Sequence, residues 1–266
     1  MQKPRKRFLL YTIRMSWAAR RQFIIVSIIG AVVVGIIAVT LIATLYHAPS
    51  CMDNKQNQGE EGIDCGGPCS HLCTPSVAAP SVRFVRQLTP VQGRTDVIAY
   101  IDNVNASAAM KGAKFTITLY GPDNIVVAKK DGTVDLPPKS TVPVFVPDFY
   151  SGFQTVARAF ITFDDSSFTW YRYSDMRPVL STSNVALSGD AAPRLTADIS
   201  NPTALSLFRI PVVATVFDAN NNAIAASATV LEEIPPMGSA PAVFTWNAPF
   251  PAAPAREEVI PLVPLP

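Results

Sequence analysis

One segment constrains this chain more than any other. Residues 23–46 read FIIVSIIGAVVVGIIAVTLIATLY and contain no charged side chain. As a helix they would extend for about 36 Å at ~1.5 Å per residue, enough to cross a hydrocarbon core of about 30 Å. In lipid, a helix is the one conformation in which a single segment satisfies its own backbone groups. The sequence therefore predicts a transmembrane helix at residues 23–46.

The charges before this segment predict its orientation. Residues 1–22 hold seven basic side chains and no acidic one. Because Lys and Arg next to a span stay in the cytoplasm, we expect residues 1–22 inside and the chain beyond residue 46 outside. Residues 8–21 mix apolar and basic side chains, so they could form an interfacial helix or merely extend the span. The basic residues are Lys3, Arg5, Lys6, Arg7, Arg14, Arg20 and Arg21.

Two kinds of processed export signal compete with an uncleaved anchor. A cleaved signal peptide normally has an apolar core of about 7–15 residues, shorter than this run. A lipoprotein would carry its lipid on Cys51, where Ser50 suits the processing site but Ala48 and Pro49 do not. The uncleaved anchor is the interpretation that we adopt.

The remaining sequence argues against several functions. Residues 47–266 hold 15 basic and 20 acidic side chains, a net charge of −5, which disfavours nucleic-acid binding. The chain has only two histidines and lacks phosphate-loop, nucleophile-elbow, zinc-protease and dinucleotide-binding motifs. The sequence predicts no enzyme, no resident cofactor and no nucleic-acid partner, and an enzyme is the least favoured hypothesis.

All four cysteines lie just beyond the apolar run, at Cys51, Cys65, Cys69 and Cys73. An even number clustered outside a membrane predicts two disulfides in an oxidising compartment, with three possible connectivities. A four-cysteine zinc site is the alternative. Its usual pairs are two to four residues apart, whereas 13 residues separate Cys51 from Cys65.

The loop between the first two cysteines is rich in oxygen-bearing side chains. Aligned with a twelve-residue calcium loop, Asp53, Asn57, Glu61 and Asp64 occupy positions 1, 5, 9 and 12. The loop departs from that pattern because position 3 is a lysine and the glycine stands at position 7. The sequence leaves open a Ca²⁺ site and a solvated acidic loop held by disulfides.

This segment resembles a short cysteine motif of bacterial cell-surface proteins. The matching stretches are Cys-Met-Asp at 51–53, Asn-Gln-Gly-Glu at 57–60 and Asp-Cys-Gly-Gly-Pro-Cys at 64–69. The match covers less than a tenth of the chain. The resemblance implies display at the cell surface and no activity.

The chain beyond residue 80 is typical of β-sandwiches. Seven short β-branched and aromatic runs alternate with turns, and no convincing helix interrupts them. We expect Trp170 and Phe168 to face a core, whereas Tyr171, Arg172 and Tyr173 could contribute to a contact surface. The predicted strands are residues 82–88, 96–102, 114–120, 125–130, 141–146, 156–163 and 168–173.

The pattern then recurs about 98 residues later. Asn103 corresponds to Asn201, residues 115–128 correspond to 212–225, and the Pro-Pro pair at 137–138 corresponds to that at 235–236. The offset matches one sandwich domain of about 100 residues and predicts a tandem duplication. We expect both asparagines to bond backbone groups at the end of a strand rather than a ligand.

The repeat resembles small bacterial sandwich domains with an x-Leu-Tyr-Asp strand end. Thr118-Leu119-Tyr120 and Val216-Phe217-Asp218 carry this likeness, with Gly121 where Asp is usual, and an Asn-Pro turn stands at 201–202. The resemblance implies an immunoglobulin-like fold outside the cytoplasm and supplies no catalytic residue.

The sequence thus predicts an all-β ectodomain of two tandem immunoglobulin-like sandwiches on one N-terminal transmembrane helix. The predicted parts are a cytoplasmic segment (1–22), the helix (23–46), a disulfide-rich stalk and linker (47–80) and two sandwiches (81–178 and 179–266). The Pro-rich end could add an edge strand at 258–263 or form a polyproline-II tail.

Two functions follow from this organisation. The first is a single-pass membrane protein with a structural, adhesion or scaffolding role outside the cell membrane. The second is an accessory subunit of a cell-envelope complex for secretion, pilus assembly or transport. Both predict a protein partner in the envelope, and neither fixes the oligomeric state.

Overall fold

The computed structural model describes residues 16–45, 50–152, 154–174 and 176–266. It confirms an all-β body that follows one N-terminal helix. Residues Met1–Ser50 and Cys51–Pro266 are two separate compact units. Residues 1–15 and 46–49, with Tyr46 at the predicted exit from the membrane, lie outside the described residues.

Helix α1 runs from Trp17 to Leu45 and begins six residues before the apolar run. Its first turns include Arg21, whose guanidinium lies 4.1 Å from the centre of the Trp17 ring. Residues Trp17–Thr44 are long and apolar enough to cross a membrane, and none of the most apolar window is buried. The hydroxyls of Thr40 and Thr44 donate to carbonyls one turn back, at 2.9 and 2.7 Å from Ile36 O and Thr40 O.

The first sandwich consists of two sheets whose inner faces share one core. One sheet has the order β1-β2-β5, and the other has the order β4-β3-β6, with β7 paired to the beginning of β3. Val97, Ile101, Ile117 and Leu119 alternate along β2 and β3 and are fully buried between the sheets. The strands are β1 (Ser81–Val91), β2 (Arg94–Asn103), β3 (Ala108–Tyr120), β4 (Val126–Leu136), β5 (Ser140–Tyr150), β6 (Arg158–Phe163) and β7 (Trp170–Arg172).

The second sandwich repeats this arrangement. Its sheets have the orders β8-β9-β12 and β11-β10-β13, which correspond to β1-β2-β5 and β4-β3-β6. Leu195, Ile199, Val212 and Phe244 lie in its separate core. The strands are β8 (Ser181–Ser188), β9 (Arg194–Ser200), β10 (Leu207–Phe217), β11 (Ala223–Ile234), β12 (Ser239–Thr245) and β13 (Arg256–Pro261).

Asn103 and Asn201 perform the same structural task in the two sandwiches, as predicted. The Asn103 amide donates to the carbonyls of Ala108, Leu136 and Pro137 at 2.8–3.2 Å. The Asn201 amide donates to the corresponding carbonyls of Leu205, Ile234 and Pro235 at 2.8–3.3 Å. Each side chain therefore ties the end of one strand to the hairpin of the opposite sheet.

The Pro-rich end of the chain is an edge strand followed by a segment that returns to the first sandwich. Strand β13 pairs antiparallel with β10. Beyond it, Leu262 packs against the first core, and the Leu265 side chain is 2% exposed. The Leu265 amide donates to the Asp135 carboxylate at 3.1 Å. Of the two alternatives for this end, the structure has the edge strand, at Arg256–Pro261 rather than 258–263, and its continuation packs against both sandwiches.

Candidate functional site

The four cysteines form the two predicted disulfides. Cys51 pairs with Cys69, and Cys65 pairs with Cys73, with Cα–Cα distances of 5.7 and 5.0 Å. The bonded cysteines are 18 residues apart in the first disulfide and 8 residues apart in the second. Cys65 lies between Cys51 and Cys69 in the sequence, so the two disulfide loops overlap. We call residues 51–73 the disulfide module. A segment this short cannot bury a self-sufficient core, so these bonds are central to its stability.

Glycine allows the module to close on itself. Gly67 has a φ of +54°, and a Cβ at this position would lie 2.2 Å from the carbonyl oxygen of Gly59. Both the left-handed backbone and the close approach therefore require a residue without a side chain. Gly66 precedes it with a φ of +74°. The Gly-Gly pair accounts for the compact turn between Cys65 and Cys69.

The predicted calcium loop brings three of its four proposed ligands together. The Asp64 carboxylate accepts the backbone N–H groups of Asp53 and Asn54 at 3.0 Å. The Asp53 carboxylate accepts the Lys55 backbone amide and the Asn57 side-chain amide at 3.0 and 2.9 Å. These carboxylates already have donors within the protein, so they organise the loop themselves.

Glu61, the fourth proposed ligand, is exposed, and its neighbour Glu60 turns inward instead. Glu60 is 6% exposed and accepts the Asn57 backbone N–H at 3.2 Å. Its other oxygen lies 3.1 Å from the Cys69 sulfur. Glu60 was not among the predicted ligands. The buried carboxylate of this loop is therefore Glu60 and not the predicted Glu61. Binding of Ca²⁺ at Asp53, Asn57, Glu61 and Asp64 stays a prediction.

A second group of potential metal ligands includes two sulfurs that already form a disulfide. Cys51, Glu60 and Cys69 place one ligand atom each within 4.8 Å of one another. Both sulfurs belong to the Cys51–Cys69 disulfide, so neither is a thiolate that could bind a metal. The cluster is therefore part of the disulfide packing.

The disulfide module is attached to the first sandwich by backbone pairing. The Leu72 amide donates to Trp170 O at 2.9 Å, and the Arg172 amide donates to Ser70 O at 2.6 Å. The Arg172 guanidinium reaches Gly67 O at 2.9 Å. Strand β7 lies between the module and β3, so two residues of the predicted contact surface, Tyr171 and Arg172, contact this chain's own module, whereas the Tyr173 amide bonds Ser107 O.

The segment between the module and β1 is pinned as well. Residues Thr74–Ser76 form one 3₁₀ turn, and Val77 packs against the first core. Ala78 exchanges two hydrogen bonds with the Asn105 side chain, at 3.0 and 2.8 Å. The described part of the predicted stalk and linker is therefore held against the first sandwich through the module and Val77–Ala78.

A third apolar cluster joins the two sandwiches. The rings of Phe84 and Tyr100 are stacked at 4.8 Å, and the Phe217 ring meets both edge-on at 6.3 Å. Leu88, Ile98, Val213, Ala223 and Ala226 complete this buried cluster. We call it the inter-sandwich cluster; it makes one body of the two sandwiches.

A buried tyrosine supplies the polar part of this contact. The Tyr100 hydroxyl donates to the Glu258 carboxylate at 2.9 Å and accepts from the Thr215 hydroxyl at 3.0 Å. Burial raises the pKa of Tyr100 well above its usual value, and the Glu258 charge adds to the rise. Tyr100 is therefore neutral over the physiological range.

A cavity of about 560 Å³ opens where the returning tail crosses between the sandwiches. Most of its wall is apolar, with Val142 and Val144 on β5 facing Leu262 of the tail. Its two charged residues, Asp135 and Arg177, form hydrogen bonds with backbone groups of this chain. Asp135 accepts the Gly112 and Leu265 amides, and Arg177 donates to Val263 O at 2.6 Å. Both charged side chains of the wall are therefore bonded to backbone groups of this chain.

One face of the first sandwich remains apolar and uncovered among the described residues. Tyr120 and Phe160 meet edge-to-face at 5.7 Å on the outside of the β4-β3-β6 sheet. Beside them Val126 is 44% exposed and Phe160 is 50% exposed, and Ile125 protrudes from the adjoining hairpin. We call Tyr120, Ile125, Val126 and Phe160 the outer patch. Sequence reasoning missed it because its signal, aromatic residues on an outward strand face, requires knowing which face is buried.

Comparison with known proteins gives no relative from which a role could be transferred. No protein-family model and no curated protein match the chain. The crystal structure of red sea bream transglutaminase aligns at 15% identity and a TM-score of 0.26. The alignment covers 71% of this chain and 32% of that one, so this chain spans about a third of its length. A likeness this distant carries no argument about fold or catalysis.

Proposed function

We propose that this protein is a single-pass membrane protein whose all-β body lies outside the cell membrane and has a structural, non-catalytic role. The observation that carries the proposal is helix α1, whose long apolar surface has no protein cover in the described structure. Exposing so much apolar surface to water is unfavourable, whereas lipid accommodates it. The threonine hydroxyls of α1 bond within the helix, as a lipid environment requires.

The disulfides and the flanking charge support the sidedness. Two disulfides and no free cysteine in the described residues suit an oxidising compartment. Arg20 and Arg21 lie near the start of α1. No Asp or Glu lies near them in the sequence to offset their charge. The proposed orientation therefore has the N-terminus in the cytoplasm and the sandwiches outside.

Thiol labelling in intact cells tests this proposal. Because the native cysteines are disulfide-bonded, a single introduced thiol reports its own location. We expect a membrane-impermeant maleimide to label Asn220→Cys, in an exposed turn, in intact cells whose outer layers are permeabilised. Gln2→Cys should be labelled only after lysis. The reverse pattern would overturn the orientation.

Retention of the helix separates an anchor from a cleaved signal. We expect the mature chain to carry an N-terminal tag and to stay in the membrane after carbonate extraction. A soluble mature chain without the tag would show a processed signal sequence instead.

The second candidate is an accessory subunit of a cell-envelope complex. The outer patch favours it, because an exposed aromatic cluster beside basic side chains is typical of protein contacts. Crosslinking followed by mass spectrometry on native membranes should then find one partner in fixed stoichiometry with this chain. A chain without any such partner would favour the first role alone.

A further inference from the structure

The internal repeat relates a buried face of the second sandwich to an exposed face of the first. Strand β10 pairs with β11 and β13 in the same register in which β3 pairs with β4 and β6, including a bulge at the same place. Residues can therefore be matched through their cross-strand partners. The matched pairs, second sandwich first, are Thr215 and Thr118, Phe217 and Tyr120, Ala223 and Val126, Ala226 and Lys129, Arg256 and Arg158, and Glu258 and Phe160.

In the second sandwich this face is a docking face. Phe217, Ala223 and Ala226 are 2–5% exposed because they pack on the outer face of the β1-β2-β5 sheet. The Arg256 guanidinium covers the Phe217 ring at 3.9 Å. Glu258 accepts the Tyr100 hydroxyl of the first sandwich. The chain thus contains one complete example of how such a face binds another β-sheet.

In the first sandwich the matched face has the composition of a contact surface but no partner among the described residues. Tyr120 takes the position of Phe217, and Arg158 lies beside it as Arg256 lies beside Phe217. Phe160, 50% exposed, replaces the polar Glu258 and enlarges the apolar area. Aromatic residues and arginine are the side chains that contribute most to protein interfaces.

The charge around the outer patch indicates the chemistry of the partner. Lys114, Lys129 and Arg158 are exposed on this face of the sheet. One acidic residue lies among them on the sheet, Asp131, which accepts the Thr116 hydroxyl at 2.6 Å, and a second, Asp123, lies in the turn that carries Ile125. The face is therefore locally basic on a chain whose residues 47–266 carry −5. A surface with acidic side chains around an apolar centre would complement it.

We infer that the outer patch docks the sheet face of a β-domain in a different envelope protein, one with an apolar centre and an acidic rim. The docking mode is the one that the second sandwich uses on the first. This inference rests on the proposed function, because it places the partner outside the membrane beside the sandwiches.

A second copy of this chain fits the patch poorly. The face of the second sandwich that corresponds to the β1-β2-β5 receptor has Thr196 and Asp198 where the first sandwich has Ile98 and Tyr100. It lacks the apolar centre that receives Phe217. Two outer patches facing each other would bring their basic residues together, which disfavours a symmetric dimer.

Site-specific photo-crosslinking in native membranes tests the inference with the full chain. The photoreactive residue p-benzoylphenylalanine replaces Phe160, and a control chain carries it at Val185, which is exposed on β8 of the second sandwich. Each chain is irradiated in cells in which the Asn220→Cys labelling has shown export. We expect a discrete adduct only from position 160, joined to an acidic strand of one other protein.

Charge variants distinguish a specific contact from chance proximity. Arg158→Glu should lower the adduct yield about tenfold, the change that about 1.4 kcal/mol of lost affinity produces. Arg158→Lys keeps the charge and should retain most of the yield. Arg158 is exposed and donates to the Asn124 side chain, so both variants alter the same surface contact and should unfold at similar denaturant midpoints.

Three patterns of adducts would overturn the inference. They are adducts between copies of this chain only, equal adducts from positions 160 and 185, and an adduct indifferent to Arg158→Glu. Absence of any adduct from an exported chain would overturn it too and leave the proposed function intact. Failure of the export labelling itself would instead reject the proposed function.

Discussion

At the scale of single residues, two buried asparagines have the same role in the two sandwiches. Asn103 and Asn201 are each 1% exposed, and the side-chain amide of each donates to three backbone carbonyls. Their place after a strand, repeated at an offset of 98, was visible in the sequence and predicted a backbone role. Which carbonyls they meet could not all be predicted, because two of the three acceptors of each asparagine lie more than 30 residues away in the sequence.

Removing either asparagine should be costly. Asn103→Ala and Asn201→Ala each leave buried carbonyls without a donor, and we expect each to lower the free energy of unfolding by about 2–4 kcal/mol. Urea denaturation measures it. Asn220→Ala, at an exposed turn position, is the control and should change stability by less than about 0.5 kcal/mol. Similar losses for all three variants would contradict the assigned role.

Tyr100 makes stability depend on alkaline pH. Its pKa is raised in the folded protein, so the unfolded chain ionises first, near the usual tyrosine value of about 10. Its contribution is therefore complete below about pH 10 and is lost as the pH rises above it. Tyr100→Phe should cost about 1–3 kcal/mol at pH 8 by leaving Thr215 and Glu258 without their partner.

The measurement is the free energy of unfolding in urea at pH 8 and at pH 11. We expect the wild type to lose more stability between these values than Tyr100→Phe, because phenylalanine cannot ionise. Tyr150→Phe, at a position that is 83% exposed, should follow the wild type. Parallel pH profiles for the wild type and Tyr100→Phe would show that the buried hydroxyl is not responsible.

At the scale of elements, local periodicity was informative wherever it was regular. The alternation at residues 96–102 predicted β2 closely, but the prediction for β3 began six residues late, at 114 rather than Ala108. The cause is a bulge between Met110 and Ala113, where Gly112 has a φ of +64° and three consecutive residues, 108–110, are buried. A bulge breaks the period of two, so the pattern lost its signal there.

The two disulfides of the module were predicted from the sequence, whereas its attachment to the first sandwich was not. Cysteine number and clustering indicate two disulfides, but they do not select Cys51–Cys69 and Cys65–Cys73 among three pairings. The attachment to β7 has no local signature either, because a pairing between Leu72 and Trp170 depends on the packing of the whole body. Long-range backbone contacts are the part of the fold that periodicity does not encode.

Loss of one disulfide should loosen the module and spare the cores. By loop-closure entropy, the 18-residue loop of Cys51–Cys69 contributes about 3 kcal/mol and the 8-residue loop of Cys65–Cys73 about 2.5 kcal/mol. We expect the double variant Cys51→Ser/Cys69→Ser to accelerate hydrogen exchange at residues 53–66 far more than at residues 97–101.

The paired variant Cys65→Ser/Cys73→Ser is the matched comparison. It should affect the module similarly and, in addition, residues 70–72, which bond β7. Equal acceleration in the core of the first sandwich for either variant would mean that the module is part of the global folding unit, contrary to this account.

At the scale of the whole molecule, the inter-sandwich cluster and the returning tail make one body of two similar sandwiches. The repeat predicted the similarity, yet similar strands face different surroundings. Phe217 is 2% exposed in the inter-sandwich cluster, whereas its counterpart Tyr120 lies on the outer patch. Substituting each member of this pair therefore distinguishes the stability contributed by an aromatic ring at this strand position from the stability contributed by its burial between the sandwiches.

We therefore expect Phe217→Ser to uncouple the sandwiches, because it removes the ring that meets both Phe84 and Tyr100 edge-on and opens a cavity. Removing a buried phenylalanine costs about 3–5 kcal/mol. Calorimetry of the wild type should show one cooperative transition, and the variant should show two, with the second sandwich melting apart from the first. Tyr120→Ser should keep a single transition with a stability loss below about 1 kcal/mol. If Phe217→Ser also melted in one step, or if Tyr120→Ser split the transition, the coupling would not reside in this cluster.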